Sequence, residues 1–139
     1  MKKLEVAAAA ENLDTVLEFL NEQLAEIGCS AAAQMQIELA VEEVFVNIAS
    51  YAYYPETGAV TVQVETKPDR PEIAVTFIDS GVPYNPLEKA DPDVTLSADE
   101  REIGGLGIFL TKKTMDHVVY EYRDGKNVLT IEKKVKRQT

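Results

Sequence analysis

In the apolar run ELAVEEVFVNIASYAY, Glu43 stands four residues before Asn47. On a helix this spacing stacks the two side chains on one flank. Asparagine is a poor mid-helix residue, because its side chain competes for backbone hydrogen bonds, so something must hold it there. Its amide oxygen suits Mg²⁺, an ion that keeps several waters and takes phosphate oxygens as its other ligands. A carboxylate one turn away can orient or deprotonate a nucleophile attacking a γ-phosphate. A solvated helix flank would carry the same pair, and this segment alone does not separate the two readings. Glu38 and Glu42 form a second i, i+4 pair, pointing about 100° or more away from Glu43, and are assigned to solvent.

A second segment reads Phe77-Ile78-Asp79-Ser80-Gly81-Val82-Pro83-Tyr84-Asn85-Pro86. An apolar strand ends in an acid, and a glycine then lets the backbone come close to something flat. A carboxylate at a strand end can accept a hydrogen bond from an exocyclic amine such as adenine N6. An ordinary Asp-Ser-Gly turn has the same composition. The third segment is Gly104-Gly105-Leu106-Gly107-Ile108, at the start of a helical pattern. Three glycines in four residues weaken a helix interior and suit backbone that must approach a ligand. The free N–H groups of a helix start favour phosphate. The Lys-Ser/Thr of a P-loop is missing, and no strand leads into a dinucleotide-type crossover. A glycine hinge for a moving loop remains the alternative.

The elements that must position these residues follow from hydrophobic period. Residues 3–9 alternate, with Leu4, Val6 and Ala8 on one side, as an edge strand does. From Asn12, Leu13, Val16, Leu17, Leu20, Leu24 and Ile27 follow helical spacing up to Gly28. Ser30 is a candidate N-cap for a second helix that runs to about Tyr53 and is stopped by Pro55. Its core stripe is Ile37, Val41, Val44 and Ile48. Val60, Val62 and Val64 alternate in one strand. Residues 73–79 are apolar almost throughout, which places them centrally with both faces at least partly covered. Residues 81–103, rich in Pro, Asp and Glu, read as a long loop with at most one helical turn. So long a loop in a small domain is usually a lid over a ligand. A third helix runs from the glycine loop to about Met115, and a hairpin of 118–122 and 128–135 turns through Asp124–Gly125. The order β-α-α-β-β-loop-α-β-β predicts a two-layer α/β sandwich, three helices on one face of a largely antiparallel sheet.

The length of 139 residues suits one domain, read here as 1–139. With 45% apolar and 27% charged residues, the chain reads as an ordinary soluble protein rather than a disordered or membrane one. Its 24 acidic residues against 14 basic ones leave a net charge of −10, which disfavours a nucleic-acid partner. The basic cluster Lys133, Lys134, Lys136 and Arg137 reads as a solvated, frayed tail. A single cysteine, Cys29, excludes an internal disulfide and fits a reducing compartment. Glu5 and Glu11 interrupt the start, so neither a signal peptide nor a membrane span is expected, and the chain reads as cytoplasmic.

E-x-x-x-N at Glu43 and Asn47, D-x-G-x-P at Asp79 to Pro83, and G-G-x-G-I at Gly104 to Ile108 resemble the N, G1 and G2 boxes of the GHKL superfamily. The ATP-binding unit of that superfamily is the Bergerat, histidine-kinase-type ATPase fold. Over nearly its full length the chain is similar to the small anti-sigma regulatory factors, the serine-protein kinases of bacterial partner-switching systems. The resemblance implies Glu43 as general base and Asn47 as the Mg²⁺-binding asparagine. It makes Asp79 the adenine-binding acid, with Gly81 beside the base. Gly104, Gly105, Leu106, Gly107 and Ile108 become the phosphate loop and the start of its helix, and 85–103 the ATP lid. Tyr51 stands where many such kinases have histidine, and Val46 where some have threonine. Both departures bear on which partner is recognised. The sole histidine, His117, reads as structural, and a histidine kinase is disfavoured for want of a phospho-accepting helix domain.

Two functions follow from the resemblance. One is ATP- and Mg²⁺-dependent phosphorylation of a serine or threonine on a small antagonist protein, by a chain that also binds a sigma factor or similar regulator. The other is a nucleotide-dependent binding module that sequesters its partner without phosphoryl transfer. An α/β domain without nucleotide is a third, bland possibility. A homodimer is implied by resemblance alone. The alternating first strand fits such an interface and fits a covered edge in the monomer equally well.

Overall fold

A computed structural model of the chain describes residues 1–67, 70–88 and 105–135. The elements are β1 (Lys2–Ala7), α1 (Leu13–Ile27), α2 (Ala31–Tyr51), β2 (Ala59–Lys67), β3 (Arg70–Asp79), α3 (Gly105–Thr114), β4 (His117–Arg123) and β5 (Lys126–Lys134). Short 3₁₀ turns at Ala10–Asn12 and Pro86–Glu88 complete them.

Local chemistry sets the boundaries. Helix α1 ends where Gly28 takes up a left-handed conformation, φ 64° and ψ 43°. The Gly28 N–H then donates to Ala25 O and the Cys29 N–H to Leu24 O, both at 3.3 Å, closing the carbonyls of the last turn. Ser30 caps α2, its hydroxyl accepting from the Ala33 N–H at 3.3 Å. The β4–β5 hairpin turns through Asp124 (φ 54°) and Gly125 (φ 77°), and two consecutive positive φ angles are what a type I′ turn demands.

The five strands form one antiparallel sheet in the order β1-β2-β3-β5-β4, with β3 central. Register places Val60, Val62 and Val64 opposite Asp79, Phe77 and Val75. Phe77 and Val75 in turn face Leu129 and Ile131. These side chains point toward the helices and pack on Val16, Leu20 and Leu24 of α1 and on Ile37, Val41, Val44 and Phe45 of α2. Each such side chain contributes about 1.5–3 kcal/mol when fully buried. The expected core stripe of α2 is present, although Ile48 is only half-buried. The opposite face of β3 carries Ala74, Thr76 and Ile78, which are half-buried. There Thr76 and Thr130 share a hydrogen bond of 3.0 Å across strands. The two-layer α/β sandwich read from the element order is therefore present.

Lys133 and Lys134 depart from the frayed-tail reading. Both lie within β5, where the ladder to β3 orders them. Lys133 Nζ also donates to Thr114 O at 2.7 Å, placing a cation on the open carbonyls at the end of α3. Lys136 and Arg137 lie outside the described residues. No helix among the described residues is long and apolar enough to cross a membrane.

Candidate functional site

Helix α2 turns Val44, Asn47, Ile48 and Tyr51 toward one cleft. Asn47 is half-buried, and its amide makes no hydrogen bond among the described residues. An amide held on a packed helix without an internal partner is open to water or to a ligand. Glu43 lies one turn earlier, half-buried, and is not among the residues lining the cleft. Burial raises its carboxyl pKa, and the neighbouring charge of Glu42 adds to the rise. Glu38 and Glu42 are half-buried rather than fully in solvent.

Asp79 ends β3 and is 5% exposed. Its Oδ1 accepts from the Gly81 N–H at 2.9 Å and from Asn127 Nδ2 at 2.9 Å. Gly81 packs closely on protein backbone: a Cβ there would overlap the Ala52 carbonyl at the end of α2. The Val82 N–H donates to that same carbonyl at 2.9 Å. Tyr53 adds a second tie, its hydroxyl accepting from the Ser80 N–H at 2.8 Å and donating to Ala59 O at 2.6 Å. The turn after the acid is thus bolted to the C-terminal end of the helix that carries Asn47.

Helix α3 begins at Gly105 and packs against α2, with Ile108 buried against the cleft. Its first N–H groups have no carbonyl within the helix, a general property of helix starts that suits anions. Gly105, Leu106 and Gly107 form its first turn. Gly104 lies outside the described residues, as do residues 89–103 of the expected lid.

The cleft holds about 450 Å³ of space, part of it open to solvent. Asn47, Asp79 and Ile108 line it together, so three separate sequence signals meet in one place. Its walls are mainly apolar, with Val44, Ile48, Phe77, Val82, Pro86 and Leu129, which suits a flat heterocycle with few polar anchors. Tyr51 and Tyr84 stand at 6.3 Å between ring centroids, tilted by 43°. Sequence reasoning missed Tyr84, Tyr120 and Asn127 as lining residues. The available signal for Asn127 was an asparagine in an inward-facing strand position, where its type is disfavoured. His117 is exposed at the start of β4, away from the cleft. No group of three or more His, Cys, Asp or Glu is placed to hold a metal among the described residues.

Residues 6–133 match the family model of the histidine kinase-like ATPase domain, and the chain belongs to that family. It is 28% identical over 128 residues to serine/threonine-protein kinase BtrW of Bordetella bronchiseptica, covering 92% of this chain and 89% of that one. It is 32% identical over 107 residues to serine-protein kinase RsbW of Listeria monocytogenes, covering 73% and 67%. Among solved structures, the RsbU and RsbW domains of Rv1364c from Mycobacterium tuberculosis superpose with a TM-score of 0.64 at 17% identity. That match takes in the whole of this chain and 34% of the other, so it shows the fold alone.

Proposed function

We propose that this chain is an ATP-dependent serine/threonine protein kinase of the partner-switching type, acting on a small antagonist protein and binding a sigma factor or similar regulator. The observation that carries this reading is the meeting of Asn47 and Asp79 in one apolar-walled cleft beside the start of α3. Kinases among its relatives, RsbW and BtrW, support the transfer reaction.

The residues present fit ATP and Mg²⁺: an amide oxygen without an internal partner at Asn47, a carboxylate oxygen open at Asp79, and the first turns of α3 beside the same cleft through Ile108. Mg²⁺ would neutralise charge on the β- and γ-phosphates. Asn47 would hold that ion, and Asp79 would accept from the 6-amino group of adenine beside Gly81. Gly104, Gly105, Leu106, Gly107 and Ile108 would bring backbone N–H groups to the phosphates. Glu43 would take the proton of the attacking hydroxyl, a task helped by the rise that burial gives its carboxyl pKa. We place the protein in the cytoplasm as a single domain over 1–139 and regard pairing with a second copy as part of the same proposal.

One observation favours the second reading, a nucleotide-dependent binding module without transfer: Glu43 stands outside the cleft lining. Incubation with labelled ATP and the antagonist separates the two. Label on the antagonist that disappears with Glu43→Ala supports the kinase, and tight ATP binding with no label transferred supports the module. The nucleotide reading itself is tested more cheaply. A ligand that binds only the folded state must raise the melting temperature, and an unchanged Tm at saturating Mg-ATP would sink it.

A further inference from the structure

Asn127 is 6% exposed and lies directly opposite Asp79 in the β3–β5 ladder. All of its side-chain hydrogen-bonding capacity is committed. Nδ2 donates to Asp79 Oδ1 and to Val82 O, both at 2.9 Å. Oδ1 accepts from the Tyr84 N–H at 3.1 Å and from the Tyr120 hydroxyl. The network fixes which way the amide points. Reversal would set an NH₂ against the Tyr84 N–H and an oxygen against the oxygens of Asp79 and Val82.

The consequence falls on Asp79. Its Oδ1 is filled by two donors, Gly81 N–H and Asn127 Nδ2. Its Oδ2 has no partner among the described residues, and none of their side-chain oxygens or nitrogens is both buried and unpartnered. Oδ2 therefore keeps an opening, and Asp79 lines the cleft. A carboxylate oxygen held in that place only accepts. It suits a ring that presents an N–H there and repels one that presents an oxygen, provided it cannot swing aside.

We infer that Asn127 is a positioning residue that locks Asp79, and thereby makes the cleft select a purine carrying a 6-amino group over one carrying a 6-oxo group. This rests on the ATP-site reading above and adds the group that makes the site selective. With the Asn127 bond removed, the Asp79 carboxylate can turn away from a 6-oxo oxygen, and the penalty against such a base relaxes.

The test compares ATP with inosine triphosphate, a purine triphosphate with a 6-oxo group, by calorimetric titration in the presence of Mg²⁺. The native protein should prefer ATP by about tenfold or more, the scale of discrimination expected from a well-placed polar contact to a base edge. Asn127→Leu, close in volume and without hydrogen bonds, should lower the ATP-to-inosine ratio severalfold. A merely structural defect would weaken both ligands equally. Tyr120→Phe removes one bond to Asn127 Oδ1 without touching Asp79, and should move the ratio the same way by less. It decides the matter if Asn127→Leu does not fold. A ratio equal to the native one in the folded variants overturns the role of Asn127 while leaving the ATP site standing. Native protein that binds neither nucleotide overturns the site reading and this inference with it.

Discussion

The Tyr53 hydroxyl accepts from the Ser80 N–H at 2.8 Å, and so ties the segment after α2 to the residue after Asp79. Its own proton goes to Ala59 O at the start of β2. One hydroxyl therefore holds three chain segments at the rim of the cleft. Tyr53→Phe keeps the ring that packs on Gly58 and loses both bonds. It should destabilise the protein by about 1 kcal/mol, because each such bond contributes modestly in net terms. A urea midpoint shifted downward at constant slope would check this.

Gly81→Ala should be the more damaging change. An added methyl would overlap the Ala52 carbonyl, which is backbone and cannot swing aside. Overpacking of this kind costs about 1–3 kcal/mol, and here it also strains the Val82–Ala52 hydrogen bond. Equal urea midpoints for variant and native protein would contradict the docking of this turn on the end of α2.

Asn47→Ala separates folding from ligand binding. Alanine is the better helix former, so stability should hold or rise by up to about 0.7 kcal/mol. Mg²⁺-dependent ATP binding should disappear from a calorimetric titration. Unchanged affinity would remove Asn47 from the site.

Glu43 links stability to pH. Burial, with the charge of Glu42 second, raises its carboxyl pKa in the folded protein. The folded state then holds the proton at pH values where the unfolded chain has released it. Stability accordingly falls as pH rises from the ordinary carboxylate range through the raised value, and the deficit persists above it. Glu43→Gln should melt higher than the native protein at pH 7, by a small margin because the group is partly exposed. The difference should vanish at about pH 3, below both pKa values. A difference that is the same at both pH values would rule this out.

Much of the frame was legible because it is written in local periods. The stripes of α1 and α2, the alternation Val60–Val62–Val64, and the Asp124–Gly125 turn each occupy a short window, and each appears where its pattern placed it. Asn47 and Asp79 were legible for a different reason: each residue type is awkward in its setting unless a ligand explains it. Asn127 was not singled out, since its meaning lies in a partner 48 residues away across a strand pairing. Gly81 was noticed for its freedom, while its neighbour, Ala52, depends on how the chain returns to the end of α2. Lys133 and Lys134 looked like a tail because charge runs usually are. The hairpin reading of 128–135 already took them into a strand, and the β3–β5 register bears out that reading over the frayed tail.

Strand β5 follows every other described element in the chain, yet it sits inside the sheet between β3 and β4. Until it arrives, β3 has one open edge and Asp79 has one fewer donor on Oδ1. The corner that would face a base therefore depends on the strand that comes last among the described elements. A chain ending before β5 would contain Asn47 and Asp79 but lack the strand that locks Asp79. Only a chain that includes β5 can form the complete cleft, because Asn127 and Leu129 line it.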